Sequence, residues 1–122
     1  LGLDDRCALL QGDWLEGVAA DSADWIVANP PYVEPGEQTG FGVAEFEPAA
    51  ALFTPPGRPL AAYERILARA PAVLRPGGCL LFEVGAGRAE AVAALGDAAG
   101  LRHEQTRADL GGIPRAVLLR RP

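Results

Sequence analysis

Four residues in the stretch "DWIVANPPYV" could do chemistry, namely Asn29, Pro30, Pro31 and Tyr32. They follow an apolar run directly, and open α/β sheets bind ligands where such strands end. The Asn29 side chain offers a carbonyl acceptor and an amide donor. The carbonyls of Asn29 and Pro30 add acceptors in set directions, because the two prolines have a fixed backbone angle φ. Tyr32 adds a flat face against which a planar group can lie.

This corner suits an sp² nitrogen, such as a carboxamide or the exocyclic amino group of a base. Such nitrogens are poor nucleophiles because their lone pair is delocalised. Holding the N–H groups on Asn29 and a proline carbonyl would aim the nitrogen at an electrophilic methyl group, and orientation of this kind can supply roughly 7–11 kcal/mol of a barrier. The competing interpretation is a simple strand-ending turn, since Asn and Pro are common turn residues.

The composition limits the other possibilities. The chain has 122 residues, 49% of them hydrophobic and 22% charged, which is typical of one soluble globular domain. Its net charge of −5 disfavours a protein that binds nucleic acid through clustered Lys and Arg. No apolar run approaches the roughly 20 residues of a membrane span, so we expect a cytoplasmic protein without a membrane partner.

Single residues give weaker signals. Cys7 and Cys79 lie far apart in apolar segments and match no metal-ligand spacing, so we interpret both as reduced core residues and expect no metal. His103 stands alone and is expected on a strand surface. The chain begins at Leu1 and contains no Met, which favours the interpretation that it is a fragment of a longer protein.

Apolar runs alternate with helical patterns, which predicts an α/β fold with a largely parallel sheet. The apolar run before Asn29 lacks polar alternation, which predicts a strand covered on both faces. A long loop is expected over 33–59, with a helical turn near 44–52, and a turn at "GGIP" could make the last two strands antiparallel. Strands are predicted over 7–13, 23–29, 79–85, 101–110 and 115–121, and helices over 59–74 and 88–100.

The helix over 59–74 has apolar residues on one face and one interruption. Pro71 lies inside the pattern and should kink or restart the helix. The "RPGG" sequence at 75–78 is expected to end it, and Gly100 is expected to close the next helix. The apolar face comprises Leu60, Tyr63, Ile66, Leu67, Ala70 and Leu74.

Four segments, taken in order, resemble the release factor glutamine methyltransferases, which depend on S-adenosylmethionine (SAM). They are "DWIVANPPYV", "EFEPAAAL", "LRPGGCLLFEVG" and "RADLGGIPRAVL". N-P-P-Y alone is shared with adenine DNA methyltransferases and some RNA methyltransferases, whereas the two later motifs, E-P-x-x-A-L and D-L-x-G-x-x-R, are more specific. The resemblance implies methyl transfer from SAM to the glutamine side chain of a Gly-Gly-Gln loop in a peptide chain release factor, with no direct nucleic-acid partner.

The resemblance also implies roles for the residues of the corner. Asn29, Pro30 and Tyr32 would be catalytic and would hold the glutamine side chain together with Pro31. Glu47 matches the glutamate of the family's E-P motif, which helps to shape the substrate pocket. A solvated loop carboxylate is the alternative for Glu47.

A cofactor site is implied by the match of "GDW" to the segment that borders the adenine of SAM. There Asp13 could accept a hydrogen bond from the exocyclic amine and Trp14 could cover the ring, with Asn29 also close to the cofactor. The alternative is that Gly12 and Asp13 merely end a strand. Arg115 matches the arginine of the last motif, whose role could be purely structural.

The departures from the family bear on the fold. Its glycine-rich SAM loop, the acidic residue after its second strand and its N-terminal helical domain are absent from the sequence, and "EVGAGRAE" is too poor in glycine to replace the loop. Residues 1–122 are therefore expected to form the C-terminal portion of a SAM-dependent methyltransferase domain. This portion would be a partial Rossmann-like class I fold, with strands 3 to 7 of a seven-stranded sheet ordered 3-2-1-4-5-7-6 and a terminal antiparallel hairpin.

Two consequences follow for this partial sheet. The strand over 23–29 would have an unpaired apolar edge. The chain as given is expected to bind SAM weakly or not at all.

The alternatives to the glutamine enzyme are a nucleic-acid amino-methyltransferase, acting on N6 of adenine or N2 of guanine, and an inactive fragment or binding module.

Overall fold

The structure is a computed structural model that describes residues 2–36 and 48–122. Within these ranges the strands are β1 (Ala23–Ala28), β2 (Leu74–Glu83), β3 (Arg102–Ala108) and β4 (Pro114–Arg120). The helices are α1 (Ala49–Leu52), α2 (Ala61–Leu67), α3 (Ala70–Val73) and α4 (Ala89–Ala98). None of these helices is long and apolar enough to cross a membrane.

The strands form one sheet in the order β1-β2-β4-β3. β1 and β2 are parallel, whereas β4 is antiparallel to both β2 and β3. This order is the 4-5-7-6 part of the expected methyltransferase sheet, and β3 and β4 form its terminal antiparallel hairpin. The predicted α/β class, with a partial Rossmann-like sheet, is confirmed.

The prediction of a first strand over 7–13 is wrong. This segment forms no strand, and Leu9 and Leu10 are 99% and 86% exposed. A strand needs a partner for its backbone groups, and no described strand pairs with the outer edge of β1. Cys7 is exposed as well, so its assignment to the core is also wrong, whereas Cys79 is buried as expected.

β1 has the predicted unpaired apolar edge, but it is not covered on both faces. Ile26 and Ala28 are partly buried against the core, whereas Trp25 and Val27 are 58% and 72% exposed. Successive strand residues point to opposite faces, and the described helices cover only one of them. The sequence pattern failed here because an apolar run shows that a residue can be covered, but does not supply the covering element.

The predicted helix over 59–74 is two short helices, α2 and α3. Pro71 lies in the first turn of α3, so the predicted restart is confirmed. β2 then begins at Leu74, five residues before the expected Cys79, because "RPGG" forms a bulge within the strand. Gly78 allows this bulge, since a Cβ there would lie 2.9 Å from the Arg75 carbonyl oxygen. Gly100 closes α4 with φ +87°.

The core lies between the sheet and the helices. Tyr63 of α2 and Phe82 of β2 form its centre, with ring centroids 5.1 Å apart in an edge-to-face arrangement. α4 packs on β3 and β4 and contacts α2. His103 lies exposed on β3 as expected. The buried apolar cluster also includes Ile66, Leu67, Leu74, Leu80, Val84, Val92, Leu101, Val117 and Leu119.

Candidate active site

The N-P-P-Y corner follows β1 at the carboxyl edge of the sheet, as the sequence predicts. Asn29 is exposed, Pro30 is buried, and Pro31 and Tyr32 are half-buried. No hydrogen bond to the Asn29 carboxamide occurs within the described residues. The next residue, Val33, pairs with Phe53, directly after α1, and its N–H donates to the carbonyl of Leu52 at 3.0 Å. The corner is therefore anchored on both sides, while Asn29 stays open to a ligand.

A cavity of about 280 Å³ opens beside the corner. It brings Trp14 together with Asn29 and Pro30, although the sequence separates them by some fifteen residues. Most of the wall is apolar, and Asn29 contributes a polar group to it. A concave, mostly apolar cavity with a few polar groups is the usual form of a small-molecule site. The lining residues are Trp14, Leu15, Ile26, Val27, Ala28, Asn29, Pro30 and Ile66.

Of the "GDW" turn, Trp14 lines this cavity. Trp14 has φ 55°, in the left-handed region that bulky residues rarely adopt, and its side chain is 39% exposed. Asp13 is exposed and pairs with Arg65 of α2. A carboxylate accepts several hydrogen bonds, so this ion pair leaves Asp13 able to take another donor. An indole wall beside a carboxylate fits the adenine end of SAM.

Tyr32 lies against the end of β2, a contact that the sequence analysis missed. Gly85 is buried beneath the ring, and a Cβ there would lie 2.9 Å from Tyr32 Cδ2 and 3.3 Å from Cγ. The sequence signal was the glycine after "FEV", in the segment "EVGAGRAE" that we judged only too poor in glycine to replace the SAM loop. The structure shows that this glycine leaves the space in which the ring lies.

A buried hydroxyl fixes the same strand end. The Tyr63 hydroxyl donates to the Glu83 carbonyl at 3.1 Å. Burial raises the pKa of Tyr63 to about 12, and the backbone of Gly85 opposes this increase. The helical pattern placed Tyr63 in the core correctly, but it gave no sign of this polar role.

The D-L-G-G-I-P-R segment is a turn joined to β2. Asp109 accepts hydrogen bonds from the N–H groups of Gly111 at 2.8 Å and Ile113 at 3.0 Å. These bonds and the Arg115 guanidinium hold the pKa of Asp109 below its usual value. Arg115 also donates to the Val84 carbonyl at 3.4 Å. The structural reading of Arg115 therefore agrees with its contacts.

Two further charges lie near the corner. The Arg88 guanidinium, at the start of α4, is 3.6 Å from the Glu34 carboxylate, two residues beyond Tyr32. Glu47, the other candidate carboxylate, lies outside the described residues. In the described ranges, no group of three or more His, Cys, Asp or Glu side chains could hold a metal ion.

Comparison with solved structures shows the fold. A Thermus thermophilus protein, provisionally named a DNA modification methylase and solved with S-adenosyl-L-methionine, matches with a TM-score of 0.61. The match has 16% identity and covers 88% of this chain and 49% of that one. A provisionally named sarcosine dimethylglycine methyltransferase from Galdieria sulphuraria matches with a TM-score of 0.56 and 12% identity, over 98% of this chain and 61% of that one. The fold is thus a partial SAM-dependent methyltransferase fold.

Comparison of sequences shows which SAM-dependent methyltransferases this chain is similar to. No protein-family model matches the chain. The release factor glutamine methyltransferase of Cereibacter sphaeroides is 43% identical over 124 residues, which cover 100% of this chain and 44% of that protein. The enzyme of the same name from Bordetella pertussis is 45% identical over 117 residues, covering 94% and 42%. The chain is a relative of the release factor glutamine methyltransferases and spans about two fifths of their length.

Proposed function

We propose that this chain supplies the substrate-binding corner of a SAM-dependent protein-glutamine methyltransferase. The reaction moves a methyl group to the side-chain amide nitrogen of the glutamine in a Gly-Gly-Gln loop of a peptide chain release factor, in the cytoplasm. The observation that carries the proposal is the 43% identity to such an enzyme over the whole chain. The open Asn29 carboxamide beside the apolar cavity supports it.

The corner has the groups that a glutamine side chain needs. The Asn29 side-chain oxygen and the Pro30 carbonyl would accept the two amide N–H groups, and Tyr32 would lie against the amide plane. Pro31 fixes the backbone between them, so little entropy is lost when the substrate binds. These acceptors become stronger partners as positive charge develops on the nitrogen, which lowers the barrier.

The cavity would hold the cofactor. When bound, SAM supplies an electrophilic methyl group. Trp14 would cover the adenine, Asp13 would accept from its amine, and Asn29 lies between the cavity and the substrate amide. The described residues thus provide the adenine wall and the substrate acceptors, and weak SAM binding by the chain as given stays a prediction that calorimetry can test.

Mass spectrometry of a release factor tests the function. The protein at its full natural length is incubated with SAM and a release factor that carries Gly-Gly-Gln, beside an Asn29→Ala variant. We expect one added methyl on that glutamine and a roughly 10²–10³-fold lower rate in the variant, as for loss of one oriented polar group at a reacting centre.

A matched control separates chemistry from folding. Asn29→Asp keeps the size and one acceptor but adds a charge, so it should bind SAM and remain largely inactive. An unmodified release factor, with the wild-type protein folded and SAM bound, would contradict the proposal. Methylation of adenine or guanine amino groups under those conditions would establish the nucleic-acid alternative instead.

A further inference from the structure

The close approach of Tyr32 to Gly85 restricts what residue 85 can be. The φ of Gly85 lies outside the left-handed region, so the backbone conformation itself does not demand glycine. The Tyr32 ring makes the closest approach, because a Cβ would lie 2.9 Å from its Cδ2 and 3.3 Å from its Cγ, with the Nε of Arg88 also at 3.3 Å. Both ring atoms belong to the inner part of the side chain, which cannot rotate away without moving the whole ring.

The backbone under the ring is held from separate elements, so it cannot yield easily. The Tyr63 hydroxyl of α2 donates to the Glu83 carbonyl, one residue before Val84. At the start of β4, the Arg115 carbonyl accepts from the Val84 N–H at 2.8 Å. The strand end is therefore a fixed platform, and strain from a side chain at position 85 would fall on the ring.

We propose that Gly85 is a positioning residue that sets the place of the Tyr32 ring, and through it the distance between the aromatic wall and the acceptors at Asn29 and Pro30. The inference rests on the proposed function for its catalytic consequence. A shift of about 1 Å in a positioning group can cost roughly 10²-fold in rate. Gly85→Ala should therefore lower kcat by about that factor.

A double-mutant cycle on the full-length protein tests the coupling. Methylation of the release factor glutamine is measured for wild type, Gly85→Ala, Tyr32→Ala and the double variant. If Gly85 acts through Tyr32, adding Gly85→Ala to Tyr32→Ala should change the rate less than about twofold, because interacting residues give non-additive effects. Independent, multiplying losses would overturn the proposal.

Gly100→Ala is the matched control for stability. Gly100 has φ +87°, and nothing lies within 4 Å of an added Cβ. Alanine there strains the backbone at the far end of α4 without touching Tyr32. It should lower the unfolding temperature and leave kcat unchanged, whereas Gly85→Ala should lower kcat at temperatures where the variant is fully folded.

A spectroscopic measurement separates this proposal from the proposed function. Nuclear Overhauser contacts between the Tyr32 ring protons and the Gly85 α protons should occur in wild type and in Gly100→Ala. Gly85→Ala should move the Tyr32 ring resonances. Absence of the contact in wild type, or unmoved resonances, would overturn the positioning role.

The experiments still distinguish the positioning role of Gly85 from the proposed function if a variant does not fold or if the proposed function is wrong. A wild-type protein with the contact but without glutamine methylation would refute the proposed function and still support the placement of the ring by Gly85. If Gly85→Ala does not fold, the double variant with Tyr32→Ala removes the clash and should fold. An unfolded double variant would overturn the proposal, since the clash would then not be with Tyr32.

Discussion

The two sides of the N-P-P-Y corner differ in how they are held. On one side, the end of β2 is bonded to α2 through Tyr63 and to the β4 backbone through Val84. On the other side, the outer edge of β1 pairs with no described strand, and Trp25 and Val27 are largely exposed. The Tyr32 ring thus rests on a fixed platform, while the cavity beside it opens toward an unpaired edge.

This difference separates two requirements of methyl transfer. Orientation of an amide in the proposed reaction needs a rigid aromatic wall, and the β2 side supports the Tyr32 ring, which would form it. Cofactor binding needs an enclosed cavity, and the β1 side encloses it only partly, with Trp14 among its lining residues. We therefore expect changes on the β2 side to affect stability and orientation strongly, and changes on the β1 edge to affect them little.

The largest difference in the free energy of unfolding is expected between the truncation of a buried aromatic side chain and that of an exposed one. Phe82→Ala on β2 removes a side chain with 0% exposure and should lower the free energy of unfolding by about 3–5 kcal/mol. Trp25→Ala on β1 removes a side chain that is 58% exposed and should cost under about 1 kcal/mol. Urea unfolding of the two variants measures both values. Equal losses would mean that the β1 edge is covered in solution.

A smaller change in the free energy of unfolding is expected when the Tyr63 hydroxyl is removed. Tyr63→Phe leaves the Glu83 carbonyl without this partner and should lower the free energy of unfolding by about 1–2 kcal/mol. The pH dependence sharpens the test. Because the pKa of Tyr63 is raised to about 12, its stabilising effect is complete below pH 10, the ordinary tyrosine pKa, and is lost as the pH rises toward 12.

Unfolding by urea between about pH 9 and pH 12 measures this dependence. Wild type should lose about 2–3 kcal/mol more than Tyr63→Phe over that interval, since one pKa unit corresponds to about 1.4 kcal/mol. Parallel curves for the two proteins would show that the hydroxyl is not buried. The comparison also removes the contribution of the other titrating groups, which both proteins share.

Local chemistry explains which parts the sequence predicted. The restart at Pro71 and the closing Gly100 each follow from a residue whose conformational limits are known. The sheet order was instead implied by the resemblance to the methyltransferase family. The prediction of a strand over 7–13 was wrong because a strand depends on a neighbouring strand for its backbone hydrogen bonds, and the local sequence does not contain that neighbour. Gly85 was missed for a related reason, since its role depends on Tyr32, which is far away in the chain.

The smallest effect is expected at Asp109, which is exposed and lies at the turn joined to the platform. Hydrogen bonds from the backbone N–H groups of Ile113 and Gly111, together with Arg115, lower its pKa. Because the pKa of Asp109 is lower in the folded protein, its carboxylate adds stability at pH values above about 4, the ordinary carboxyl pKa. That stability is lost as the pH falls through the lowered pKa. Asp109→Ala should therefore lower the unfolding temperature slightly at pH 7 and not at pH 2. Thermal unfolding at both values measures this, and an equal deficit at pH 2 would show that the turn depends on the shape of the side chain and not on its charge.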